Sequence, residues 1–233
     1  MIRAVLFDAG ATLIHPDPPV EAVYAREFAV DGARFGEEDF SRALARTWDE
    51  VQANPGANRY GGVRGEPEFW RTFLNRVRSF LDGGSVSPAA FDRLAKHFRN
   101  PAAWRVYADV LPALEELSQK DFALAIVSNW DSYLPTLLTA LGLDRFFRVV
   151  AVSAIEETGK PHPEIFRRAC RRLDVRPAEA LHVGDSVTDD LEGARSAGLS
   201  ALLLDRQDRH VEIADRITTL AELPDRLCYP ARA

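Results

Sequence analysis

Cysteine is nearly missing. Of 233 residues only Cys170 and Cys228 are cysteines, far apart and in no CxxC pair. That excludes a disulfide framework and a thiolate zinc site, and it fits a reducing cytoplasm. Long apolar runs are missing too: none approaches the roughly 18 residues of a membrane span. The stretch from Met1 to Asp8 meets an acid too early for a signal peptide. There is no basic excess, and a formal charge of −6 with a pI near 5.5 speaks against a general nucleic-acid binder. A small anionic ligand in a locally positive pocket stays allowed. Lysine is scarce, with Lys96, Lys120 and Lys160 the full set in an arginine-rich chain. What remains is ordinary for a globular protein, 46% hydrophobic and 27% charged, and long enough for one large domain or two small ones. No internal repeat or low-complexity tract interrupts it.

Two rhythms divide the chain. Residues 3–8 form a short apolar run, read as a strand buried on both faces. Pro16-Asp17-Pro18-Pro19 then rules out continuous helix or strand. From Val20 to Phe98 the spacing is helical, carried by Val23, Phe28 and Val30, then Phe40, Leu44, Trp48 and Val51, then Phe69, Phe73, Val77 and Phe80. Ser87-Pro88 supplies an N-cap and a first-turn proline for one more helix. No strand signal breaks this section, so it reads as an all-helical insertion. A glycine-rich loop inside it, Asn54 to Gly65, bears Arg59, Tyr60 and Arg64, which could engage an anionic substrate or simply be solvated.

After Trp104 strands and helices alternate. Strand segments are 122–127, 149–152, 180–183 and 201–204, separated by helical segments at 111–117, 134–141, 165–173 and 191–197. Such alternation implies a parallel sheet wrapped by helices, with ligands at the carboxyl ends of the strands. The predicted fold is therefore α/β, a Rossmann-like parallel core of residues 1–15 and 100–233 with a helical cap of residues 16–99. The last residues, after Pro224, read as a loosely docked tail.

The chemistry collects where strands end. Asp8 follows the first strand, Ser128-Asn129 the second, and Gly184-Asp185-Ser186 a later one. A lone aspartate after a strand is usually a turn residue, but parallel strands bring three such ends to one edge. Asp8 to Leu13 (DAGATL), Ser128-Asn129, Gly159 to Phe166 (GKPHPEIF) and Gly184 to Gly198 (GDSVTDD followed by GARSAG) occur in that order. With these motifs the chain resembles the haloacid dehalogenase superfamily over nearly its whole length, and the helical insertion resembles the C1 cap of that family. The resemblance implies a hydrolase in which the Asp8 carboxylate attacks a phosphoryl group. Covalent attack splits one difficult displacement into two easier ones, and positive charge is needed where two anions meet. By resemblance Lys160 would neutralise Asp8 and the phosphate, and Thr12, Ser128 and Asn129 would hold phosphate oxygens. Mg²⁺ would be bound by Asp8, the Gly10 carbonyl and Asp185, with Asp190 as a further acid of its surroundings. Asp189 reads as a solvated helix cap, His182 as a packed core histidine, and His15 and His162 as loop residues.

One residue departs from the family pattern. The position two after the nucleophile, an acid in the family's phosphatases that serves the leaving oxygen and the attacking water, is Gly10. General acid–base help is typically worth about 10² to 10⁴ in rate. The expectation is a weak or selective phosphatase of small phosphorylated metabolites that prefers acyl or aryl phosphates over sugar phosphates. Gly10→Asp is expected to raise alkyl phosphate turnover. Three alternatives stand beside it. A family dehalogenase also lacks the acid, but Gly184-Asp185-Ser186 is of the metal-binding kind and that branch's first-motif tyrosine is missing here. A phosphonatase would need a cap lysine, and Lys96 lies near the cap's far end. A silent binding protein of the same fold would be free to lose Asp8, Lys160 and Asp185, yet all three are present.

Overall fold

The structure, a computed structural model, describes residues 1–53 and 62–228. Its strands are β1 (Ala4–Phe7), β2 (Ile14–Pro16), β3 (Trp104–Val106), β4 (Ala123–Ser128), β5 (Val149–Val152), β6 (Ala180–Gly184), β7 (Ser200–Leu204) and β8 (Arg216–Ile217). The helices are α1 (Val20–Val30), α2 (Glu37–Ala53), α3 (Gly62–Leu81), α4 (Pro88–Phe98), α5 (Val110–Gln119), α6 (Leu134–Ala140), α7 (Ser153–Glu156), α8 (Pro163–Arg172), α9 (Gly193–Ser196) and α10 (Leu223–Cys228). Six strands make one sheet in the order β5-β4-β1-β6-β7-β8, every neighbouring pair parallel.

Alternation along β1 shows how the sheet divides its core. Val5 and Phe7 face one apolar layer with Leu114, Leu117, Leu134 and Leu137 of α5 and α6. Ala4 and Leu6 face the other, with Ile165, Phe166, Ala169 and Cys170 of α8. Both faces of a parallel sheet are thus covered, and β1, β4 and β6 are buried throughout. The register then lines up the strand ends: Phe7 lies opposite Ile126 of β4 and Val183 of β6. Residues just past these three positions must share one edge.

A third apolar cluster is built from the helical insertion alone, around Val23, Phe28, Phe40, Phe73, Val77 and Leu94. Ser87 caps α4 as its sequence predicts, accepting from the Ala90 N–H at 3.0 Å. Two features depart from the sequence reading. The chain enters and leaves the helical insertion through an antiparallel pair, β2 with β3, in which Ile14 faces Val106 and Pro16 faces Trp104. Pro16 ends β2, in keeping with a proline run that allows no continuous strand, and it is tolerated because a strand terminus needs no further N–H donor. Of the residues after Pro224, 225–228 continue helix α10, which packs against α5, and 229–233 lie outside the described residues.

Candidate active site

Asp8 begins where β1 stops. Its N–H donates to the Val183 carbonyl at 2.9 Å, so the backbone stays registered with β6 one residue past the strand. The residue is 7% exposed. Ser128, the last residue of β4, donates its hydroxyl to Asp8 Oδ1 at 2.8 Å. Lys160 Nζ donates to the same Oδ1 and to Asp190 Oδ1, both at 2.6 Å. Among the described residues no hydrogen bond engages Asp8 Oδ2, the oxygen left for other chemistry.

Asn129 sets the lysine in place. Its Oδ1 accepts from the Lys160 N–H at 2.8 Å and its Nδ2 donates to the Lys160 carbonyl at 2.9 Å, a two-way clasp on the lysine backbone. The same Nδ2 also donates to Asp189 Oδ2 at 3.2 Å. The Asn129 side chain is thus committed to holding the loop, so any contact with phosphate would run through its backbone.

Asp190 arrives from a widened helical turn, Val187–Glu192. Its Oδ2 accepts from the Ser186 N–H at 3.0 Å, and its Oδ1 bonds His182 Nε2 at 2.8 Å beside the lysine. The carboxylate packs so tightly on Gly184 that a Cβ there would lie 2.2 Å from Asp190 Cγ, so no other residue fits position 184. Two sequence readings change here. Asp189 is buried, not solvated: the wide turn points it inward onto Asn129. His182 is a buried core histidine as expected, packed edge-on against Phe166, but it also orients Asp190. Strand alternation carried that signal, because residues 182 and 184 share a face and glycine leaves that face open to Asp190. His162 is the N-cap of α8, accepting from the Glu164 N–H at 3.3 Å.

Asp185 completes the group at its solvent-exposed edge, with the buried Thr12 hydroxyl donating weakly to its Oδ1 at 3.4 Å. One ligand oxygen from each of Asp8, Asp185 and Asp190 lies within 4.8 Å of the others. Burial disfavours the lysine charge, yet Asp190 and Asp8 beside it overturn this and hold the ammonium above the ordinary lysine range. Burial likewise opposes ionisation of Asp190, but Lys160 and His182 hold it well below the usual carboxylate range. Asp8 is raised, by desolvation first and by Asp190, with Lys160 opposing. Asp185 is hemmed in on its protein side and pushed up to about 8, by desolvation first, then by Asp8 and Asp190. With all three carboxylates ionised, one ammonium would leave two negative charges in excess, which is why Asp8 and Asp185 hold their protons more tightly than usual. Hard oxygen donors with a surplus of this size fit a divalent cation.

The structure therefore gathers Asp8, Ser128, Lys160, Asp185 and Asp190, with Thr12 at the rim. Gly10 lies in the turn after Asp8, closed by a 2.8 Å bond from the Ala11 N–H to the Ile14 carbonyl. Of the insertion residues, Arg64 is exposed on α3, while Arg59 and Tyr60 lie outside the described residues. Sequence reasoning missed two neighbours. Trp130 rests its ring on Gly10. Glu66 of α3 is buried, and its carboxylate accepts from the Ser132 N–H at 2.6 Å and the Ser132 hydroxyl at 3.0 Å, just past Trp130. Nothing in a helix-spaced run marks one acid as turned inward.

A model of the haloacid dehalogenase-like hydrolase family matches residues 2–198. A glyceraldehyde 3-phosphate phosphatase of Methanopyrus kandleri is 34% identical over 217 residues, covering 88% of this chain and 85% of the relative. The mouse haloacid dehalogenase-like hydrolase domain-containing protein 3 is 32% identical over 208 residues, 87% of this chain and 82% of the relative. Among solved structures, a HAD phosphatase from Thermococcus onnurineus superposes with a TM-score of 0.67 at 29% identity, covering 97% of this chain and 98% of the other.

Proposed function

The chain belongs to the haloacid dehalogenase-like hydrolases, and we propose that it is a Mg²⁺-dependent phosphatase that cleaves a small phosphorylated metabolite through an aspartyl-phosphate on Asp8. The observation that carries this reading is the single buried cluster in which Lys160 Nζ stands 2.6 Å from both Asp8 and Asp190, with Asp185 beside them. Phosphatase relatives such as that of Methanopyrus kandleri support the reaction class.

In the first step a lone pair of Asp8 Oδ2 forms a bond to phosphorus as the ester P–O bond breaks. The leaving oxygen departs with its electron pair and takes a proton from solvent, since Gly10 offers none. In the second step a water oxygen bonds to phosphorus and the P–O bond to Asp8 breaks. The water proton passes to solvent, inorganic phosphate leaves, and the carboxylate returns. Lys160 offsets the anions in both steps at no reorganisation cost, because Asn129 and Asp190 already fix it. Asp8, Asp185 and the Gly10 carbonyl would hold Mg²⁺, with Asp190 behind them acting through the lysine. The ion would supply charge neutralisation at the transferring group. Ser128, Thr12 and the backbone of Asn129 would steer the phosphate oxygens. Residues 16–99 would serve as the cap that selects the substrate, and residues 1–15 and 100–233 as the catalytic core. Among the described residues no helix is long and apolar enough to cross a membrane; a cytoplasmic setting goes with the free Cys170.

The test compares p-nitrophenyl phosphate with an alkyl phosphate, each with Mg²⁺ and with chelator. Turnover is expected to favour the aryl ester by about 10² or more, in line with a lost acid, to vanish with chelator, and to vanish in Asp8→Asn. Equal rates on both esters would mean that another residue supplies the proton. A wild type as inert as Asp8→Asn on a broad panel would favour the silent binding protein.

A further inference from the structure

Position 10 carries no side chain, and the space one would enter is crowded by an aromatic ring. A Cβ on Gly10 would meet the Trp130 ring at 3.0 Å from Cζ3, with Cη2 and Cε3 at 3.8 and 3.9 Å. The six-membered edge of the indole thus rests on the turn that follows the nucleophile. Trp130 is also chained to the reacting groups from its own side, since Ser128 bonds Asp8 and Asn129 clasps Lys160. Trp130 as a whole is only partly buried.

Its position is not adjustable at low cost. The Trp130 N–H donates to Ser153 Oγ at 3.1 Å, and its carbonyl accepts from the Ala154 N–H at 3.3 Å. Behind the indole runs a file of aromatic rings into the helical insertion. Trp130 meets Trp104 at 5.1 Å between centroids, Trp104 meets Phe98 at 6.2 Å, and Phe98 meets Tyr24 at 6.0 Å. Trp104 is pinned by its Nε1 donating to the Phe98 carbonyl at 2.9 Å. Close-packed aromatic edges of this kind resist displacement.

We infer that Trp130 is a specificity-determining residue of this site, an aromatic wall that favours phosphate esters with a flat aromatic leaving group and crowds any side chain at position 10. The inference deepens the phosphatase reading and rests on it for the anion that sits beside the wall. A stacked ring is worth about a two- to twelvefold change in affinity, whereas small acyl or alkyl groups gain little there. The same wall alters the outlook for Gly10→Asp, because the new carboxylate must push the indole and its aromatic file aside.

Binding of non-hydrolysable phosphonates separates this inference from the reaction. Calorimetry with Mg²⁺ present is expected to show phenylphosphonate binding wild type about fivefold more tightly than methylphosphonate, within the stacking range above. Trp130→Ala is expected to erase that preference and leave methylphosphonate affinity within about twofold, while Trp130→Phe keeps most of it. A merely structural role would weaken both ligands together. Equal affinities in wild type, or an undiminished preference in Trp130→Ala, would overturn the inference. An inert wild type that still shows the preference would retain the wall and remove only the hydrolysis. On the steric side, Gly10→Asp is expected to lower the melting temperature of wild type and to lower that of Trp130→Ala much less. If Gly10→Asp were as stable as wild type, the wall would not be close enough to select anything.

Discussion

Lys160 is the residue on which the site's electrostatics turn. It is 4% exposed, one ammonium between two carboxylates, and its partners cannot easily turn to water instead. Removing one member of a buried ion cluster leaves the others unpaired, at a cost of about 3–5 kcal/mol. Lys160→Met is therefore expected to abolish turnover and to lower unfolding free energy by about that much in urea titration. The double variant Lys160→Met/Asp190→Asn removes the stranded carboxylate as well, and it is expected to be more stable than Lys160→Met alone. A double variant that is the less stable of the two would mean that Asp190 is held by His182 and Ser186 without need of the lysine. At this scale the sequence spoke clearly for Asp8, Ser128, Lys160 and Asp185, because each follows a strand or sits in a proline-fixed turn. It could not tell Asp189 from Asp190 in burial. Adjacent residues in an ordinary helix point about 100° apart, which sends one of them outward, and only the widened turn brings both inside.

Elements explain what pattern reading left out. Apolar periodicity found all the long strands and helices, since each buries a continuous face. It had no purchase on β2, β3 and β8, which are only two or three residues long and owe their pairing to tertiary context. The antiparallel pair of β2 with β3 nonetheless fixes where the helical insertion joins the core. A second link is Glu66, whose carboxylate bonds the loop that carries Trp130. Burial beside this acid also raises Asp131, by desolvation first and by Glu66 repulsion further down the order. Glu66→Ala would leave the Ser132 N–H and hydroxyl without their acceptor, costing about 1–3 kcal/mol. Amide hydrogen exchange is expected to quicken at residues 130–133 and along α3, with the sheet strands unchanged. Exchange at 130–133 that does not change would show that Ser153 and Ala154 hold this loop unaided.

For the whole molecule the question is how a fold tolerates so much like charge at one edge of its sheet. Most shifted carboxylates here, Asp190 among them, sit below their ordinary values through hydrogen bonds and partner cations, and they add stability that is lost only in acid. Asp185 does the reverse. Its folded value of about 8 lies above that of an unfolded aspartate, so the folded state holds the extra proton across the interval between them. Stability must then fall as pH rises toward 8 and level off beyond it. His97, lowered by burial first, works the other way, but only below the ordinary histidine range. The interval from about pH 6.5 to 8.5 therefore isolates the acidic cluster. With chelator present the melting temperature is expected to decline across it. With Mg²⁺ the decline should flatten, because a cation bound to ionised carboxylates replaces the proton and stabilises the folded state by mass action. Asp185→Asn removes both the slope and most of the Mg²⁺ response, a pairing that general charge screening cannot produce. A chelated wild type with a flat profile would mean that the surplus charge is relieved by solvent at the open edge, and that the cluster has no need of a metal to stay folded.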